Sequence, residues 1–209
     1  MQLRRGDVLD GAMAILDEYG LADLTMRRLA TSLGVQPGAL YWHFPNKQTL
    51  LGAMADRILD GVDAPVSSQR WDDGITELAH RLRDALLAHR DGAELVAATY
   101  ASRMTSNLAR ESFVGAGVRA GLPRAHAELA AYTLLYFVLG HTVDEQSRAQ
   151  MAALGALTRT PASPDTETAA DLGSDDELLD GDPQVRFDFG LTLFVDGVRA
   201  RLGEEATRR

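Results

Sequence analysis

Leu24-Thr25-Met26-Arg27-Arg28-Leu29-Ala30-Thr31-Ser32-Leu33-Gly34-Val35-Gln36-Pro37-Gly38-Ala39-Leu40-Tyr41-Trp42-His43-Phe44-Pro45-Asn46-Lys47 is dense in helix start and stop signals. Thr25 has the chemistry of an N-cap, and Leu24 before it is placed to staple onto Leu29. Met26, Leu29, Ala30 and Leu33 share an inward face, and Gly34 suits the left-handed residue that ends a helix. Pro37 fits a first helical position after Gln36, with Val35 and Leu40 as a second staple. Pro45 closes this short third helix, and Asn46 caps a fourth. Upstream, Val8, Ala12, Ile15 and Leu16 form one face of a supporting helix that ends near Gly20. Two short helices across a tight turn, braced by a third, make a helix-turn-helix unit.

The third helix carries more aromatic surface than it can bury. Leu40 and Phe44 are four apart and face the core together, which leaves Tyr41, Trp42 and His43 largely on the other side. Tyrosine and tryptophan offer donors to phosphate and flat area to sugars and thymine methyls. Gly38 and Ala39 are small enough to let the backbone approach base edges in a major groove. The competing reading is an aromatic mini-core between domains.

Lys47 sits at the first position of the fourth helix, where its charge opposes the helix dipole. An ammonium beside exposed N–H groups does little for stability but makes a phosphate clamp. Arg27 and Arg28, at the start of the second helix, repeat the pattern; each alone also reads as a solvated surface charge.

Charge is distributed to suit this. The 209 residues hold 30 acidic and 21 basic side chains, a formal charge of −9, and the only lysine is Lys47. Residues 1–50 contain five of each sign, so the whole excess lies beyond them. A polyanion meets least repulsion at the N-terminal quarter. With no cysteine, disulfides, thiolate metal sites and cysteine nucleophiles are excluded. No signal peptide is visible, and the longest apolar run, 134–140, is too short for a bilayer. A soluble, cytoplasmic protein without membrane association is expected.

Helical periodicity continues to the end and no strand pattern stands out. The fourth helix runs to about residue 63, and 63–68 reads as a linker. Further helices are expected near 71–89, 93–98, 106–120 and 123–151, and a last one at 183–202. The polar, acidic segment 155–182, rich in Pro and Gly, reads as a mobile connection. The expectation is an all-α chain: a DNA-binding head (1–46), a connecting helix (47–63), and a larger effector-binding and dimerisation domain (64–209).

The stretch 24–35 followed by 40–47 resembles the DNA-binding domain of TetR-family repressors. His89-Arg90-Asp91-Gly92-Ala93, Leu139-Gly140-His141-Thr142-Val143-Asp144-Glu145-Gln146 and Phe189-Gly190-Leu191 resemble the ligand-binding body of its tetracycline-responsive members. The resemblance implies a homodimeric, ligand-responsive repressor. Its last long helices would form a four-helix bundle, and its heads would bind a palindromic double-stranded DNA operator. By motif position, Arg27, Gln36, Pro37, Gly38, Ala39, Tyr41, Trp42, His43 and Lys47 would face the operator. Gln36 would pair a base edge, adenine by preference.

In the body the resemblance places Leu78, Leu82, Val96, Thr99, Tyr100, Phe113, Tyr136 and Asp144 at effector-contacting positions. Val96 stands where tetracycline-responsive members have a magnesium-binding histidine, Leu78 where they have an asparagine, and Tyr100 where they have an arginine. Magnesium needs oxygen ligands, and one aspartate is a poor residual site. No metal or cofactor is therefore expected, and the implied effector is a small, largely apolar or aromatic molecule. For Leu78, Leu82 and Val96, plain core packing remains an alternative, as it does for Tyr136 within the helical bundle. His141 and Asp144, three apart, read either as ligand contacts or as an interior histidine with an ordinary neighbour. A helical enzyme or small-molecule carrier is the rival function, but no nucleophile–base–orienter set or phosphate loop supports catalysis.

Overall fold

The computed structural model describes residues 3–68, 70–104, 108–155 and 181–207, and among these it is built from nine helices without a strand. They are α1 (Arg5–Tyr19), α2 (Met26–Ser32), α3 (Pro37–Tyr41), α4 (Lys47–Ile58), α5 (Trp71–Leu87), α6 (Gly92–Ala101), α7 (Leu108–Ala120), α8 (Arg124–Ala153) and α9 (Pro183–Thr207). The expected mobile segment 155–182 lies almost wholly outside the described residues, as does the expected start of α7.

Local chemistry explains the head. The Arg4 N–H donates to the Asp7 carboxylate at 2.8 Å and opens α1. The Thr25 hydroxyl accepts from the Arg28 N–H at 3.0 Å, and the Asn46 side chain accepts from the Thr49 N–H at 2.8 Å. Val35 N–H returns to the Ala30 carbonyl at 3.0 Å around Gly34, tying off α2. Val8, Leu16, Leu29, Leu40, Phe44, Leu50 and Met54 close the centre. Arg5 stacks over the Phe44 ring at 4.1 Å and donates to the His43 carbonyl at 2.7 Å, pinning the end of α3 to α1.

One expectation of the sequence needs correction. The connecting helix stops at Ile58 rather than near 63, because the chain turns through Gly61 at φ 79° and buries Val62. The linker 63–68 is tied to the body along its length. Ser67 donates its N–H (3.0 Å) and hydroxyl (2.7 Å) to Glu77, while Arg81 donates to the Ala64 carbonyl at 2.5 Å.

Head and body share one continuous apolar core. At Gly52 of α4 a Cβ would lie 2.3 Å from the Met104 carbonyl oxygen, so only glycine permits this approach to the end of α6. Within the body, Arg83 of α5 is 6% exposed. It grips Glu145 of α8 through two hydrogen bonds of 2.9 and 2.7 Å, and it also donates to Gln184 of α9 at 2.5 Å. Removing one partner of such a pair strands a buried charge, which costs about 3–5 kcal/mol. Glu145→Ala is expected to lower the urea midpoint accordingly. A midpoint within the scatter of wild type would show that the pair bears no structural weight.

Candidate functional site

The aromatic residues of the head do not form a mini-core. Trp42, the residue that ends α3, is 90% exposed, and Tyr41 is 49% exposed. Gln36, Pro37 and Gly38 are exposed beside them, while Ala39 and His43 are half-buried. Because Leu40 and Phe44 are wholly buried, this outward row is held rigidly. Arg27 is exposed and Lys47 half-buried at their helix starts, and neither is held in a salt bridge among the described residues. Arg28 differs from both. It pairs with Asp23 and lies 3.7 Å over the Tyr19 ring, so a phosphate would have to displace an internal partner. The cation expected to stand open at this helix start is engaged by Asp23 and Tyr19.

A second constellation joins head to body. Gly20 ends α1 at φ 89°, and the next residue, Leu21, donates its N–H to the Asp91 carboxylate at 2.7 Å. The other Asp91 carboxylate oxygen accepts from the Gln150 amide of α8. Gln146, one turn earlier on α8, donates to the Leu86 and His89 carbonyls (3.2 and 2.8 Å) and accepts from the Ala93 N–H (3.1 Å). His89 contacts Asp17 at 3.0 Å, and Arg90 donates to the Glu18 carbonyl at 3.1 Å. The turn between α5 and α6 is thus a clamp held from behind by α8 and gripping the end of α1 in front. The sequence shows His89-Arg90-Asp91 only as turn-forming residues at a helix end; their pairing partners lie 57 to 72 residues away.

In the body, Leu78, Leu82, Val96, Thr99 and Phe113 are all buried. The Thr99 hydroxyl is already bonded to the Leu95 and Val96 carbonyls of its own helix. Tyr100 is half-buried. Two expected effector residues point elsewhere. Tyr136 is 56% exposed and stacks on Tyr132, and Asp144 is exposed and paired with Arg148 at 2.9 Å. On α8 the buried face is Ala127, Ala131, Leu134, Leu135, Val138, Leu139 and Thr142, which turns both residues outward.

The N-terminal residues 8–54 match the description of bacterial regulatory proteins of the tetR family, and 64–202 match the tetracycline repressor-like C-terminal domain. The chain belongs to the TetR family. It is 35% identical over 207 residues to the class A tetracycline repressor of Escherichia coli, covering 96% of this chain and 92% of that one. The crystal structure of BioQ from Mycobacterium smegmatis is 46% identical, covers 95% of this chain and 99% of its own, and superposes with a TM-score of 0.80. BioQ with its double-stranded DNA operator follows at 43% identity, TM-score 0.74 and coverage of 94% and 98%. A TetR variant from Acinetobacter baumannii AYE in complex with minocycline is 26% identical, with TM-score 0.72 and coverage of 96% and 99%.

Against this TetR-family frame the residues present do not suit a magnesium ion. Among the eight expected effector positions the sole carboxylate is Asp144, which is engaged with Arg148. No group of three or more His, Cys, Asp or Glu able to hold a metal occurs among the described residues. No described helix is long and apolar enough to cross a membrane.

His141 is an interior histidine. Its ring meets Phe187 edge-on at 5.3 Å and lies 3.9 Å from Glu145, with Arg83 on the same cluster. Burial pushes its pKa below the ordinary imidazole value of 6.5, against the pull of Glu145. The unfolded chain therefore binds this proton more readily, and stability falls as pH drops below 6.5. His141→Phe is expected to flatten the slope of urea midpoint against pH in that range; an unaltered slope would assign the dependence to other groups.

Proposed function

We propose that this TetR-family chain is a ligand-responsive transcriptional repressor that binds a palindromic operator as a homodimer. The observation that carries this reading is the exposed row Gln36, Tyr41 and Trp42 on a short helix whose opposite side is locked into the head core. Large apolar side chains left in water at a rigid helix mark a contact surface. With flanking cations at the starts of α2 and α4, that surface fits a major groove and the phosphates on either side. BioQ, so similar in sequence and fold, has been seen with operator DNA.

The outward faces of α8 and α9 carry Leu129, Tyr132, Tyr136, Phe189 and Leu193 exposed, a surface suited to a second copy. The effector site is built by Leu78, Leu82, Val96, Thr99, Tyr100 and Phe113, and its ligand is small and largely apolar or aromatic. The effector releases DNA by binding better to a conformation whose two heads no longer match successive major grooves. One that bound both conformations equally would change nothing.

A gel-shift on a palindrome upstream of the coding region tests the reading directly; a retarded band is expected, and none at any protein concentration would refute it. Lys47→Ala should weaken binding to every DNA sequence by a similar factor and reduce the salt slope by about one. An effect confined to one base position would make Lys47 a reader of sequence instead.

A further inference from the structure

Arg5 is the first residue of α1, where its positive charge opposes the helix dipole. Among the described residues no carboxylate pairs with it. Its contacts lie instead just beyond the end of α3. The guanidinium donates to the His43 carbonyl at 2.7 Å, 38 residues along the chain, and lies 4.1 Å over the Phe44 ring. Arg5 also lines a hollow with Asn46, Gln48 and Thr49, where α4 begins. A charge from which α1 gains nothing is thus placed at the joint between α3 and α4.

That joint decides how α3 sits. The helix has five residues, no side-chain bond at its Gln36 start, and one buried side chain, Leu40. A single turn resting on one core residue can rock about it, so a second fixed point is needed to set its angle. Phe44, wholly buried in the turn after α3, is that point. Arg5 holds it through the ring face and through the preceding carbonyl, which a planar guanidinium can do at once. The His43 and Phe44 N–H groups both donate to the Leu40 carbonyl at 2.9 Å, so a shift of this turn passes directly into α3.

Helix α1 carries the reference further. Its 15 residues span about 22 Å. At its other end His89 contacts Asp17 and Arg90 donates to the Glu18 carbonyl. The body therefore grips one end of α1 while Arg5 at the other end grips α3, and the outward row is oriented relative to the body as well as to the head core.

We propose that Arg5 is a positioning residue for operator recognition: it fixes the angle at which α3 presents Gln36, Tyr41 and Trp42, without itself entering the groove. This rests on the repressor reading above and adds a residue to it from outside the helix-turn-helix. Base contacts survive only small misalignments of the groups that make them. Phosphate contacts hold the protein on DNA but carry no sequence information. Loss of Arg5 erodes discrimination and spares attraction.

The test uses the full-length protein and two duplexes of equal length, the upstream palindrome and a scrambled version of it. Arg5→Met keeps an aliphatic stem and removes the fork; the side chain is exposed, so the variant should fold. Its affinity for the palindrome should fall about tenfold or more, while that for the scrambled duplex stays within about twofold. The salt slope on the scrambled duplex should not change. Arg5→Lys keeps the charge without the fork and should restore only part of the discrimination. In the free protein, hydrogen exchange at the His43 and Phe44 amides should speed up in Arg5→Met. Four results would each overturn the proposal: an unchanged affinity ratio, an equal loss on both duplexes (as unfolding or a lost phosphate contact would give), full restoration in Arg5→Lys, or unaltered exchange at His43 and Phe44. Failure of the repressor reading would show separately, as absence of palindrome binding by the wild-type protein.

Discussion

Trp42→Ala is expected to abolish operator binding while leaving the dimer and its melting temperature unchanged. The side chain is 90% exposed and contributes nothing to the core, so its removal costs no packing. Its value lies wholly in the complex. A good base or sugar contact in a groove is worth about 1–3 kcal/mol, and a dimer makes it twice. The loss is then about 2–6 kcal/mol, roughly 30-fold to more than 10,000-fold in affinity. Moving one operator half-site by five base pairs should be as damaging, because it turns that half-site to the opposite face of the duplex. Gel-shifts with both altered partners measure this. Wild-type affinity in Trp42→Ala would remove α3 from the interface, and unchanged affinity for the respaced site would mean that the heads are not rigidly coupled.

Asp91→Ala should have a large effect outside the DNA surface, and one that reaches the head. Its carboxylate accepts from the Leu21 N–H of the head and from Gln150 of α8, at a backbone φ of 55°. Alanine loses both charge-assisted bonds, leaves the Leu21 N–H unmet and is strained in a left-handed conformation. At this half-buried site the sum is about 3 kcal/mol or more. Three readouts should move together: a lower urea midpoint, lost hydrogen-exchange protection at the Leu21 amide, and weaker operator binding as the head loses its fixed tilt on the body. Asp91→Asn keeps one acceptor oxygen and tolerates the backbone conformation, so it should fall between alanine and wild type. Undiminished protection at Leu21 in Asp91→Ala would show that Asp91 does not hold the head, and that the coupling runs through His89, Arg90 and the contact of α4 with Met104.

These two residues differ in how they could be found. Trp42 is legible in the chain because the argument is local: Leu40 on α3 and Phe44 in the turn after it take up the inward side, although the helix ends at Tyr41 rather than running up to Pro45 as the sequence suggests. The caps at Thr25 and Asn46, the stop at Gly34 and the start at Pro37 are equally local, each depending on neighbours within four residues. Periodicity therefore determined the head, the helical body and the outward aromatic row. Asp91 is different. Its partners Leu21 and Gln150 are 70 and 59 residues distant, as Glu145 is 62 from Arg83, and no spacing rule joins them. Helix α8 shows the same limit. It is apolar on the face against the core and again at Leu129, Tyr132 and Tyr136 outside, so its composition does not tell which way it is rotated. Tyr136 and Asp144 could be placed inward by likeness, and only the packing of α8 on α5, α6 and α7 turned them out. The same packing left the Tyr100 hydroxyl and Arg110 Nε buried without partners among the described residues, because buried donors are paired or orphaned by tertiary geometry, not by the order of residues along the chain.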